Sequence, residues 1–224
     1  MPRIEGLSRA EAPAEIKERY DEIFGTERDP VAEPGTSSGT PGNWWTVWAR
    51  VPGILSAFSA YSYRNAPIDP KLRELALIRT GYARQSQFVF SQHCKVARRI
   101  GLEEEKIQAV ACWTIANVFT ARERAVLAYV DGQILEGGRV HDRIFAALKE
   151  HISDEEILIL TYLINAYALH ATSTRALRLE YDDVPERIME IPVPETPMVQ
   201  PWLETSWAMR AEGSLSFPNK EPGS

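Results

Sequence analysis

Only two cysteines, Cys94 and Cys112, occur in the 224 residues, too few for a disulfide framework or a cysteine-based metal site. Histidine is almost as scarce. The four present form no His-x-x-x-His pair and sit in no carboxylate-rich cluster, so no metal centre is expected. A basic excess is missing too: 25 Lys and Arg against 31 Asp and Glu leave a formal charge of −6. That balance excludes the strongly positive surface of a nucleic-acid binder. No uninterrupted apolar run approaches the ~20 residues needed to cross a bilayer. The opening Met-Pro-Arg-Ile-Glu-Gly lacks the charged-then-apolar layout of a secretory signal. A soluble cytoplasmic protein with no nucleic-acid or membrane partner is therefore expected. Nothing alternates with period two for long enough to propose a sheet, which makes the expected class all-α. What is present is ordinary globular material, 44% hydrophobic and 25% charged, sufficient for one sizeable core.

The helical signals are numerous. An amphipathic stretch over 7–24 follows Ser8 and sets Ile16, Tyr20, Ile23 and Phe24 at helical spacing. Residues 25–42 are rich in Pro, Gly, Ser and Thr and read as a loop. A second helix runs over about 43–65 with Pro52 as a break or new first turn, and Pro67 and Pro70 punctuate a connector. Leu72, Leu75, Ala76 and Ile78 then form an apolar stripe; a further helix over 86–100 stops at Gly101, and a short one covers 103–113. Thr120 with Glu123 and Ser153 with Glu156 are capping boxes. The first opens a helix to about Leu135, closed by Gly137-Gly138; a helix over 140–151 follows, and the second box opens a helix to about Tyr181. That last helix is apolar almost all round between Ile157 and Leu169, which places it at the centre of a bundle or at a subunit contact. The organisation is an N-terminal helix and loop (1–42), a helical domain (43–183) and a Pro-rich extension (184–224). In the extension Met198, Trp202, Leu203, Trp207 and Met209 are costly to leave in water.

Glu74 stands among Leu and Ile on an inward-facing helix, and a buried carboxylate needs a partner or a raised pKa. Ser86, Val89, Phe90 and His93 share one face of the next helix. If the two helices pack antiparallel through Arg84-Gln85, Glu74 can meet His93. A carboxylate and an imidazole in an apolar pocket make a proton-transfer pair that works near neutral pH. Ser86 also reads as a helix N-cap. Trp44, Trp45 and Trp48, with Phe58, Tyr61, Tyr63, Tyr82 and Phe90, supply flat faces that suit a ring ligand, although a Trp cluster is more often a core or oligomer contact. His170 reads as a hydrogen-bonded core or interface histidine, and Cys94 as a small buried hydrophobe.

The succession Arg73-Glu74-Leu75-Ala76-Leu77-Ile78-Arg79, then His93, Ala97, Gly101-Leu102 and Glu104-Glu105-Lys106-Ile107, resembles the carboxymuconolactone decarboxylase family, which includes the AhpD-like alkylhydroperoxidases. The resemblance spans about residues 42–183. It implies an AhpD-like helical bundle that assembles as a homo-oligomer, a trimer or hexamer. In the redox branch a Cys-x-x-Cys pair precedes the His; the matching positions here are Ser86 and Val89. A hydroxyl and an isopropyl group cannot close a disulfide, so a thiol-dependent peroxidase is disfavoured. The decarboxylase branch uses no metal and no organic cofactor. It carries a second His just before the matched one, a place taken here by Gln92.

Together these observations lead to a cofactor-independent, decarboxylase-like lyase or related acid–base enzyme, acting on a small cyclic or aromatic carboxylate or lactone. Glu74 and His93 are the expected catalytic pair. Arg79, Tyr82, Ser86, Phe90, Trp45 and Trp48 are the expected substrate contacts. The alternative is a catalytically silent AhpD-like oligomer that binds an aromatic ligand or a protein partner.

Overall fold

The computed structural model describes residues 2–34, 42–60 and 66–179, with the side chain of Ser59 excepted. The expectations placed on Tyr61, Tyr63 and the extension beyond residue 183 lie outside them. Among the described residues the secondary structure is helical with no strand, as the absence of period-two patterning predicts. The helices are α1 (Ala14–Phe24), α2 (Gly42–Trp48), α3 (Pro52–Ser59), α4 (Pro70–Ala83), α5 (Gln87–Arg99), α6 (Glu104–Ala109), α7 (Ala121–Ile134), α8 (Asp142–Lys149) and α9 (Asp154–Leu177). A 3₁₀ turn over Val110–Cys112 extends α6.

Local chemistry sets most boundaries. Both capping boxes form: Thr120 and Ser153 accept from the backbone N–H of Glu123 and Glu156, whose carboxylates reach back. Ser86 caps α5 by accepting from Val89 N–H. Gly101, Gly137 and Gly138 take positive φ where the chain leaves a helix. The first helix begins at Ala14 and not near residue 7, because Pro13 occupies its N-cap and the preceding turn is held by Ser8 Oγ donating to Glu11.

The most deeply placed helix is α4, not α9. Every residue from Leu72 to Gly81 is buried, in contact with α5, α7 and α9. Its Leu72, Ala76 and Leu77 join Val126, Tyr129 and Val130 of α7 and Leu160, Leu163 and Ile164 of α9 in the main core. The last helix buries one side there and leaves Leu158 70% exposed, with Tyr162 and Leu169 about half exposed. By length and composition α9 could also cross a membrane, and 44% of its most apolar stretch is buried within the bundle. A second cluster seats α1: Ile16, Tyr20 and Phe24 pack on Ala49 and Leu55, with Trp45 and Trp48 against it.

The hairpin of α4 and α5 depends on Gly81. A β-carbon there would lie 2.6 Å from the Phe90 backbone nitrogen and 2.8 Å from its Cα. Backbone cannot yield as a side-chain tip does. Gly81→Ala is accordingly expected to cost about 1–3 kcal/mol by overpacking, read as a lower urea midpoint at unchanged slope.

Candidate active site

Glu74 on α4 and His93 on α5 meet in the interior. His93 Nδ1 stands 2.7 Å from Glu74 Oε2, and Arg73 Nε donates to Oε1 at 2.9 Å. All three side chains are almost fully buried. Burial alone would raise the Glu74 carboxyl; the His93 charge and hydrogen bond, then the Arg73 contacts, outweigh it and hold the group below its ordinary value. An ionised carboxylate only accepts, so Nδ1 carries the hydrogen and Nε2 is the basic nitrogen of neutral His93. The arrangement is a histidine oriented by a buried anion, itself balanced by a guanidinium.

The ring of Tyr167, on α9, lies edge-on to His93 with centroids 4.3 Å apart. Tyr167 in turn lines a cleft of about 500 Å³ whose walls include Ala57 and Phe58 of α3 and Leu158, Tyr162 and His170 of α9. Neither Glu74 nor His93 is part of that wall. Tyr167 touches the imidazole and the cleft. His170 sits in a box of rings, with centroids 4.9 Å from Trp44, 5.2 Å from Phe58 and 5.0 Å from Tyr167. Burial, then the charge of His93, pushes its pKa down to about 4.

The expected substrate contacts fare differently. Arg79 is an interior anchor: Nε and one terminal nitrogen donate to the two Asp131 oxygens at 2.6 and 2.9 Å, and the other reaches the Val110 carbonyl at 3.1 Å. The Trp113 indole donates to the same carboxylate at 2.9 Å. This guanidinium ties α4 to α7 and to the 3₁₀ turn, and its donors go to Asp131 and Val110 there. Tyr82 stacks over Arg79 and beside Phe90, away from the cleft wall. Ser86 is spent on its cap at 3.3 Å. Trp45 packs towards α1, Trp48 packs both there and edge-on to Phe58 at 5.1 Å, and neither lines the cleft. Sequence reasoning passed over Tyr167 and read His170 as structural. The available signal is their i, i+3 spacing on α9, whose stretch from Ile157 to Leu169 is apolar almost all round.

Among the described residues no group of three or more His, Cys, Asp or Glu gathers as metal ligands would. Cys94 is buried, Cys112 exposed, and neither is in a disulfide.

Residues 50–132, a span that holds both Glu74 and His93, match the carboxymuconolactone decarboxylase family. That match covers the helical hairpin, and the chain as a whole is similar to carboxymuconolactone decarboxylase/AhpD-like proteins. One relative is the uncharacterized protein YnjA of Escherichia coli K12, 28% identical over 148 residues, which are 62% of this chain and 76% of YnjA. Among solved structures, ATU0492 of Agrobacterium tumefaciens, a protein of unknown function described as a candidate antioxidant defence protein AhpD, shares 28% identity. It superimposes with a TM-score of 0.55 over 58% of this chain and 92% of its own. The alkylhydroperoxidase AhpD core of an uncharacterized peroxidase-related protein from Ralstonia eutropha JMP134 gives a TM-score of 0.62 over 79% and 93% at 21% identity, a likeness of fold. The matched span contains the helical hairpin that carries the acid and the imidazole. It does not choose between thiol and acid–base chemistry. In this chain the hairpin offers Ser86 and Val89 where a dithiol would stand.

Proposed function

We propose that the protein is a cofactor-independent acid–base enzyme of the lyase kind, working as a cytoplasmic homo-oligomer on a small cyclic or aromatic carboxylate or lactone. The observation that carries the reading is the buried 2.7 Å contact between Glu74 and His93. Glu74 fixes the tautomer and stabilises the imidazolium when it forms. Nε2 of His93 then takes a proton from a carbon acid or returns one. In a decarboxylation the C–C bond breaks, carbon dioxide leaves, and the electron pair spreads into the unsaturated ring as an enolate. His93 delivers the proton that restores the C–H bond. A dry surrounding strengthens each of these interactions.

The test uses exchange, which reads proton transfer before the overall reaction is known. In D2O the protein is expected to introduce deuterium at the acidic carbon of an unsaturated γ-lactone. His93→Gln is expected to cut that rate by about 10²–10⁴-fold with an unchanged far-UV circular dichroism spectrum. Equal exchange by the folded variant would remove His93 from the chemistry.

One observation favours a second reading, a catalytically silent oligomer that binds an aromatic ligand or a protein partner. The cleft is walled by Tyr167 and His170, and not by the pair. In that case the His93 resonances would not respond to any ligand that fills the cleft.

A further inference from the structure

We propose that the cleft between α3 and α9 is a binding site for a flat, uncharged ring compound bearing one hydrogen-bonding group, recognised by the His170 imidazole, and that it rejects carboxylates. The proposal deepens the acid–base reading by narrowing the substrate to the lactone side, and it rests on that reading for the link to catalysis only.

About 500 Å³ falls in the range of small-molecule sites, roughly 300–1,000 Å³. The walls are predominantly apolar and aromatic, and Leu158, Tyr162 and Leu169 are left facing water unless something covers them. Among the described lining residues there is no Arg or Lys. None of the described lining residues offers an entering carboxylate a cation in return for its lost water, and that loss is costly.

The polar groups then decide orientation. The Thr161 hydroxyl is shared between the Ile157 carbonyl and Tyr129, and the Asn165 amide nitrogen donates to Gln133 and to the Thr161 carbonyl. The His170 ring differs. Three aromatic rings enclose it, and none of the described residues makes a hydrogen bond to it. A neutral imidazole offers one donor and one acceptor, the complement of a phenol, a lactone or a ring amide. Because its box disfavours the imidazolium, it supplies no cation for an anionic guest.

The experiment compares two probes of equal shape, 4-methylphenol and 4-methylbenzoate, with the full chain at pH 7. The phenol is expected to bind saturably, quench the tryptophan fluorescence (Trp44 packs on His170) and shift the His170 ring resonances. The benzoate is expected to bind at least about tenfold more weakly. His170→Phe, which keeps the ring and removes both nitrogens, should weaken the phenol about tenfold, the worth of one hydrogen bond. Equal affinity for the two probes, no binding of either (as when a second copy of the chain closes the cleft), or a phenol affinity untouched in His170→Phe overturns the proposal. Should the variant fail to fold, the probe comparison and the wild-type resonance shift still decide. Saturable phenol binding without any deuterium exchange by the protein would sink the enzyme reading and leave this one standing; the reverse pattern would do the opposite.

Discussion

Replacing Glu74 by Leu lowers the unfolding free energy by about 3–5 kcal/mol, because it strips a buried ion pair of one partner. Arg73 is only 4% exposed, so its guanidinium cannot turn to water once the carboxylate 2.9 Å away is gone. His93 loses its acceptor at the same time. For a chain of this size the loss corresponds to a fall in Tm of about 10 °C. The companion Arg73→Met/Glu74→Leu variant removes both charges and is expected to recover much of the loss, since apolar replacement of a whole buried pair is often neutral. Urea denaturation of the two variants checks the point. A single variant no worse than the double would show that Arg73 does not depend on Glu74.

Acidification is the second large effect. Between pH 7 and pH 4 the protein is expected to lose about 3 kcal/mol through His170 alone. The ordinary value of the group is 6.5 and the folded value about 4, so the unfolded chain binds the proton first. Stability is therefore full above the unfolded value and falls as pH drops through the window from 6.5 to 4. The groups facing the ring are His93, whose interaction with it disfavours protonation, and Tyr167; the remaining walls, Trp44 and Phe58, are uncharged. Glu74, acting through His93, adds in the same direction: its depressed carboxyl contributes stability that disappears as pH falls through its folded value. His170→Phe isolates the histidine share. Its urea midpoint should decline less between pH 7 and pH 4, and parallel curves for the two proteins would refute the assignment.

The parts of this architecture legible in the sequence are those written in short-range chemistry. Thr120 with Glu123, Ser153 with Glu156, and the glycines at 101, 137 and 138 announce helix ends because the backbone groups they satisfy lie within one turn. Glu74 and His93 could be paired because one tight turn separates their helices. Burial was harder. The sequence singled out Glu74 as inward-facing, but Arg73, Arg79 and Thr80 interrupt the apolar pattern of α4 and gave no sign of being buried with it. The interior accepts those residues only because partners neutralise them, and Asp131 is 52 positions from Arg79. On α9 the sequence left a bundle centre or a subunit contact open, and Leu158, Tyr162 and Leu169 face outward. The His170 box escaped notice for the same reason as Asp131: Trp44 and Phe58 reach it from a distant segment.

The ten consecutive buried residues of α4 set the persistence of whatever Glu74 does. A helix packed on all sides has no low-energy partial opening, so its amide hydrogens reach solvent only when the entire molecule comes apart. The carboxylate is thus mounted on the part of the chain least able to breathe.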